Sequence, residues 1–208
     1  DSPLPIYDYY VYLMSLPRLF LNCGSAIERQ INYISVNHGV LKKWEHKLSN
    51  LSGLKVGINW KGNSEKSAVP LNAFNSLFDL RKVDFISLQR GLGTEQINHF
   101  YNKKRLFTDL SKIDMDKEEN AFEESIGMIS NLDLVITIDT ALAHVSSTLG
   151  VETWVLLSAT NDWRWFLNSS RTPWYQATRL YRQQEPYQWN SVFEKIKTDL
   201  KNKSHKTV

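Results

Sequence analysis

A single cysteine, Cys23, leaves no internal disulfide framework and no multi-cysteine metal site, which points to a reducing compartment. No stretch approaches the roughly 18 consecutive apolar residues that a membrane helix requires, and no signal peptide is expected. The charge balance, 25 Lys and Arg against 22 Asp and Glu for a net +3, is too even to suggest nucleic acid. Part of that small excess lies in the tail "KNKSHKTV", expected to be a solvated, frayed end. The five histidines, at 38, 46, 99, 144 and 205, lack metal-ligand spacing. Neither a G-x-S-x-G elbow nor an H-E-x-x-H helix is present, and no G-x-G-x-x-G dinucleotide fingerprint follows a strand. Internal repeats and low-complexity tracts are missing too.

The remaining composition, 42% hydrophobic and 23% charged over 208 residues, suits one soluble domain with a sizeable core, or one domain plus an appendage. The chain starts at Asp1 without a methionine, as a processed product or a fragment would. Tryptophan is abundant: four of the seven residues (Trp154, Trp163, Trp165 and Trp174) crowd into one stretch.

Along the first fifty residues the pattern is irregular. "DYYVYLMS" reads as a strand, the "SLPRLF" that follows breaks at its proline, and "GVLKKWEHKLSNLSG" reads as an amphipathic helix ended by Gly53. From Lys55 strands and helices alternate. The expected strands are "KVGINW", "VDFISLQ", "RLFTDL", "LDLVITI", "VETWVLLS" and "TRLYRQ". The expected helices are "PLNAFNSLFDL", opened by a proline that suits a first helical turn, then "TEQINHFYNKK", "NAFEESIGMISN", "TALAHVSSTLG" and "WNSVFEKIKTDLK". Parallel neighbours need a crossover, and strands apolar on both faces need helices on both sides. The expectation is therefore an α/β, Rossmann-like, doubly wound parallel sheet over 54–200, preceded by a residual or linking segment over 1–53 and followed by a flexible tail at 201–208.

Ligands of such sheets sit outside the carboxyl ends of the strands. Asp139 and Thr140 end the fourth strand where a helix begins, Ala141 and Ala143 are small enough to let a phosphate approach the helix amides, and His144 lies one turn on from Thr140. Spacing alone leaves open whether Asp139 or Thr140 merely caps that helix. After the first strand, "NWKGNSEKSAVP" offers Gly62 for a tight turn and Lys61 and Lys66 as phosphate-neutralising charges, or simply as solvated lysines. After the second, Gln89, Arg90 and Glu95 flank a Gly-Leu-Gly turn, where Glu95 could accept from a ribose or stand exposed at a helix start. The long segment "ATNDWRWFLNSSRTPWY" follows the fifth strand; its Asp162 and Arg164 could pair, and its rings could close a groove over a base or sugar or pack on the domain.

Taken together, "VGINWKGN", "FISLQRG", "DLVITIDTALAHVSSTLG", "TWVLL", "DWRWFL", "TPWY" and "RLYRQ" in this order resemble the glycosyltransferase domain of bacterial tetratricopeptide-repeat proteins. These are related to the ADP-heptose:lipopolysaccharide heptosyltransferases of glycosyltransferase family nine. The resemblance spans about Val56 to Leu200, and the chain itself carries no tetratricopeptide pattern. It implies the C-terminal half of a GT-B enzyme, which holds a nucleotide-diphosphate sugar for inverting, metal-independent transfer with no cofactor besides the donor. Asp139, Thr140, Ala141, Leu142 and His144 would then line the sugar-diphosphate pocket, with His144 as an electrostatic helper. Lys66 would contact phosphate, and Gln89 to Glu95 the nucleoside. The catalytic base would come from a facing N-terminal domain. An acceptor glycan, lipid-linked saccharide or protein would complete the reaction in the cytoplasm, with no metal and no nucleic acid. The alternative is a non-catalytic interaction or nucleotide-sugar-binding module that has lost turnover.

Overall fold

A computed structural model describes residues 5–21, 33–63, 68–103, 107–109 and 122–206. Six strands, β1 (Leu54–Asn59), β2 (Val83–Ser87), β3 (Phe107–Asp109), β4 (Leu134–Ile138), β5 (Thr153–Leu157) and β6 (Thr178–Arg182), form one sheet in the order β3-β2-β1-β4-β5-β6. Every pairing is parallel. All six expected strands are present, and the order is that of a doubly wound sheet whose direction of winding reverses between β1 and β4.

Side chains alternate across a strand, so a buried sheet needs apolar residues on both faces. Val56, Ile58, Leu134, Ile136 and Phe85 point into one core with the turn Leu71–Phe74, helix α3 (Asn75–Phe78) and helix α6 (Asn190–Lys206). Ile86 and Val135 point into the opposite core, where helix α2 (His38–Lys47) and helix α4 (Glu123–Ile129) contribute Trp44, Met128 and Ile129. Helix α5 (Ala141–Thr148) packs on this second side through Leu142 and Val145. Although α2 precedes the 54–200 stretch, it is part of the packed layer: Trp44 is fully buried and its Nε1 donates to Glu124 Oε2 at 2.7 Å. Asn37 caps α2 by accepting from the Gly39 and Val40 amides.

Several local expectations are corrected. "DYYVYLMS" is no strand: Tyr9, Tyr10 and Tyr12 are exposed, residues 13–15 form a 3-10 turn, and no sheet edge pairs with the segment among the described residues. Pro17 does not break the chain but sits in the first turn of α1 (Leu16–Leu21), where a missing N–H costs nothing. The helix expected from Pro70 is a 3-10 turn followed by the four residues of α3, with Pro70 outside it at the N-cap, and Thr94–Lys103 is 3-10 rather than α. Helix α6 continues to Lys206, into the stretch expected to fray, because Leu200 and Ser204 bury on the sheet side. No helix among the described residues is long and apolar enough to cross a membrane.

Candidate functional site

The winding reversal between β1 and β4 opens a crevice at their carboxyl ends, and the residues there are tied by a chain of side-chain hydrogen bonds. Asn59 closes β1. Its Oδ1 accepts from the Thr137 hydroxyl at 3.1 Å and the Thr140 hydroxyl at 3.3 Å, and its Nδ2 donates to Gln89 Oε1 at 2.8 Å. Three strand ends, β2, β1 and β4, are thereby fixed relative to one another. Nothing in the spacing of Asn59 marked it in advance; the available signal was a polar residue ending an otherwise apolar strand.

Gln89 is only 2% exposed, and both ends of its amide are committed. Oε1 also accepts from the Trp60 and Lys61 amides at 3.1 and 2.9 Å, while Nε2 donates to the Lys61, Arg90 and Leu92 carbonyls at 2.8, 3.3 and 2.7 Å. A buried amide so engaged shapes the β1 and β2 loops from behind. Glu95 is exposed; one carboxylate oxygen accepts from the Gly93 amide at 2.8 Å, which stabilises the Gly91–Gly93 turn where both glycines take positive φ. Lys66 lies outside the described residues. Gly62 does reach the crevice: a Cβ there would stand 3.2 Å from Thr140 Cγ2.

Thr140 occupies the N-cap of α5 with extended backbone (φ −139°, ψ 175°), yet its side chain makes no capping bond. The hydroxyl turns instead to Asn59 and Thr137. The first-turn amides of α5, at the positive end of the helix dipole, therefore make no bond to the threonine hydroxyl, and Ala143 among them donates to the Thr140 carbonyl, at 3.0 Å. Ala141 is exposed, Asp139 and Leu142 are half-buried beside it, and no bulky side chain belongs to the first helical residue.

His144, half-buried in the next turn, is clamped by the segment after β5. Its ring stacks on the fully buried Trp165, 5.2 Å between centroids and 19° between planes, and its Nδ1 lies 2.9 Å from Tyr175 Oη. Burial pulls the His144 pKa below the ordinary value; Asp139 and Asp162 raise it and Arg164 lowers it by smaller amounts. Burial likewise pushes Tyr175 up to about 12, so its hydroxyl stays protonated. Asp162 and Arg164 do pair, at 3.0 Å, and Asp162 also caps the 3-10 turn Trp163–Trp165. Tyr175 as the histidine's partner was not foreseen, since nothing in sequence spacing joins residues 144 and 175. Among the described residues, no group of three or more His, Cys, Asp or Glu could hold a metal ion.

No family model matches the chain, and no curated protein matches it in sequence. Its fold is nevertheless shared with solved structures. A family 9 glycosyl transferase from Veillonella parvula DSM 2008 aligns with a TM-score of 0.54 at 12% identity, over 84% of this chain and 52% of its own. The E. coli ADP-heptose lps heptosyltransferase II aligns with a TM-score of 0.56 at 13% identity, over 82% of this chain and 54% of its own. The chain thus shares an α/β, Rossmann-like fold with these glycosyltransferase structures, and it spans about half of their length.

Proposed function

We propose that this chain is the donor-binding domain of an inverting glycosyltransferase, holding a nucleotide-diphosphate sugar in the crevice between β1 and β4. The observation that carries the reading is the start of α5, at the winding reversal, with its cap threonine drawn aside by Asn59. A diphosphate seated there would accept from the Ala141 and Leu142 amides, with Asp139 and Thr140 at its edge and His144 one turn away. Cleaving the sugar–phosphate bond leaves negative charge on the diphosphate, and fixed amides and a helix dipole stabilise such charge without reorganising. Lys66 on the β1 loop would add a cation, and Glu95 would accept from the ribose. Gln89 would act as a positioning residue, shaping the loop from beneath. The base that deprotonates an acceptor hydroxyl, on a glycan, a lipid-linked saccharide or a protein, would come from a facing domain.

Titration calorimetry with UDP-, ADP- and GDP-linked sugars tests the reading. Binding of one of them, weakened about tenfold or more by Asp139→Ala or His144→Ala, is the expected result. No heat with any of the three donors removes it. A bound diphosphate would also raise the His144 pKa, by placing negative charge near the ring.

A further inference from the structure

The segment joining β5 to β6 splits its aromatic residues between two directions. Trp165 is fully buried against His144, Val155 and Leu180, whereas its neighbours Trp163 and Phe166 are 45% and 37% exposed. Contiguous exposed apolar surface rimmed by polar side chains is characteristic of binding grooves.

Their placement is held at a cost. Phe166 has φ 55° and ψ 172°, a left-handed conformation that a β-substituted residue avoids. Two side chains hold it there. Arg182 Nη2, from the end of β6, donates to the Trp165 and Phe166 carbonyls at 3.1 and 2.6 Å, and Asn161 Nδ2 bridges the turn, donating to the Asp162 carbonyl at 2.8 Å and the Phe166 carbonyl at 3.4 Å. Trp163 is braced separately, edge-to-face on Trp174 with 6.3 Å between centroids, while Trp174 Nε1 donates to the Arg164 carbonyl at 2.8 Å. Strain over-determined by its surroundings is characteristic of functional sites.

The two rings border an open cavity of about 610 Å³, whose walls also carry Asp162, Asn168, Ser169 and Arg171. That volume lies within the usual range for small-molecule sites, and the lining combines apolar rings with a few hydrogen-bonding groups. A pyranose has matching chemistry: an apolar face of C–H bonds to lie on a ring, and hydroxyls around its rim for carboxylate, amide and guanidinium partners.

We infer that this cavity is a carbohydrate-binding subsite, with Trp163 and Phe166 as its stacking platform. Its place, on the segment between β5 and β6 that packs on α5 through Trp165 and His144, suits the acceptor saccharide of the transfer. The acceptor role rests on the donor reading above; carbohydrate binding itself does not.

Saturation-transfer NMR with the methyl glycosides of glucose, galactose, mannose and N-acetylglucosamine provides the test, run alongside calorimetry with UDP, ADP and GDP. The expected result is transfer to at least one glycoside, strongest at ring C–H protons and cut about fivefold or more by Trp163→Ala and by Phe166→Gly. The glycine variant removes the ring while relaxing the positive φ, so the fold survives. Nucleoside diphosphate affinity stays unchanged in both variants. Transfer to none of the glycosides, or transfer that both variants leave intact, overturns the inference. Loss of nucleoside diphosphate binding in both variants overturns it too, and assigns the cavity to the donor's base. Glycoside transfer without any nucleoside diphosphate binding removes the donor reading and leaves the carbohydrate subsite standing.

Discussion

The imidazole of His144 lies flat on the indole of Trp165, 5.2 Å apart, with its Nδ1 directed to Tyr175 Oη. One residue of the crevice is thereby oriented by a segment that begins at the next strand. Burial disfavours the imidazolium, so the folded protein binds this proton less tightly than the unfolded chain. The sign follows. Above the ordinary histidine pKa, about 6.5, both states are neutral and nothing is lost. As pH falls through that value the unfolded chain takes up the proton first, and stability declines until pH reaches the lowered folded value. NMR titration should place the His144 pKa below the ordinary value. Urea unfolding should show the wild type losing more stability than His144→Phe, which keeps a stacked ring, between neutral pH and pH 5.

Gln89 is the buried knot behind the β1 and β2 loops. Gln89→Ala would strand the Trp60 and Lys61 amides and the Leu92 carbonyl. Stranding buried polar groups costs on the order of 1–3 kcal/mol each, partly relieved by loop rearrangement, so a net loss of about 2–4 kcal/mol is expected. Urea unfolding measures it. If Gln89 instead faced solvent and ligand, stability would hardly change and only nucleotide affinity would fall.

Gly62 and Thr140 meet across the crevice. A Cβ at residue 62 would stand 3.2 Å from Thr140 Cγ2, tight but adjustable between two half-buried residues. Gly62→Val should therefore lower stability by under about 1 kcal/mol while blocking the approach to the α5 amides. On the donor reading, nucleoside diphosphate affinity drops by about tenfold or more, measured by calorimetry against wild type.

What could be read in the sequence was whatever depends on local periodicity. The runs "LVITI" and "TWVLL" announce strands buried on both faces, and the alternation with helices announces parallel pairing, so the sheet and its carboxyl edge were legible. Asp139 through His144 could be placed at that edge for the same reason. The hydrogen bonds that define the crevice could not. Asn59 and Thr140 are 81 positions apart, Gln89 and Asn59 are 30 apart, and which side chain turns inward is decided by the register of β1 against β2 and β4. Gln89 illustrates the limit: only packing shows that its amide is engaged by the Asn59 side chain and by the backbone of the β1 and β2 loops. "DYYVYLMS" fails in the opposite sense, since β-prone residues make no strand without an edge to pair with.

Arg182 offers the last test, because it joins the end of β6 to the strained turn that carries Phe166. Its Nη2 bonds to the Trp165 and Phe166 carbonyls are the main polar ties across that turn, and burial lowers its pKa without removing its charge. Arg182→Met retains much of the aliphatic stem but leaves both carbonyls without that donor, at a cost of about 1–3 kcal/mol. Released from it, Phe166 should relax from positive φ, and Trp163 and Trp165 should become more accessible. Acrylamide quenching of tryptophan fluorescence should rise, and limited proteolysis should cut first within 161–173. Arg182→Lys reaches only one carbonyl at a time and should fall between the two. A methionine variant with wild-type quenching and cleavage would show that the aromatic packing, not the guanidinium, holds the turn.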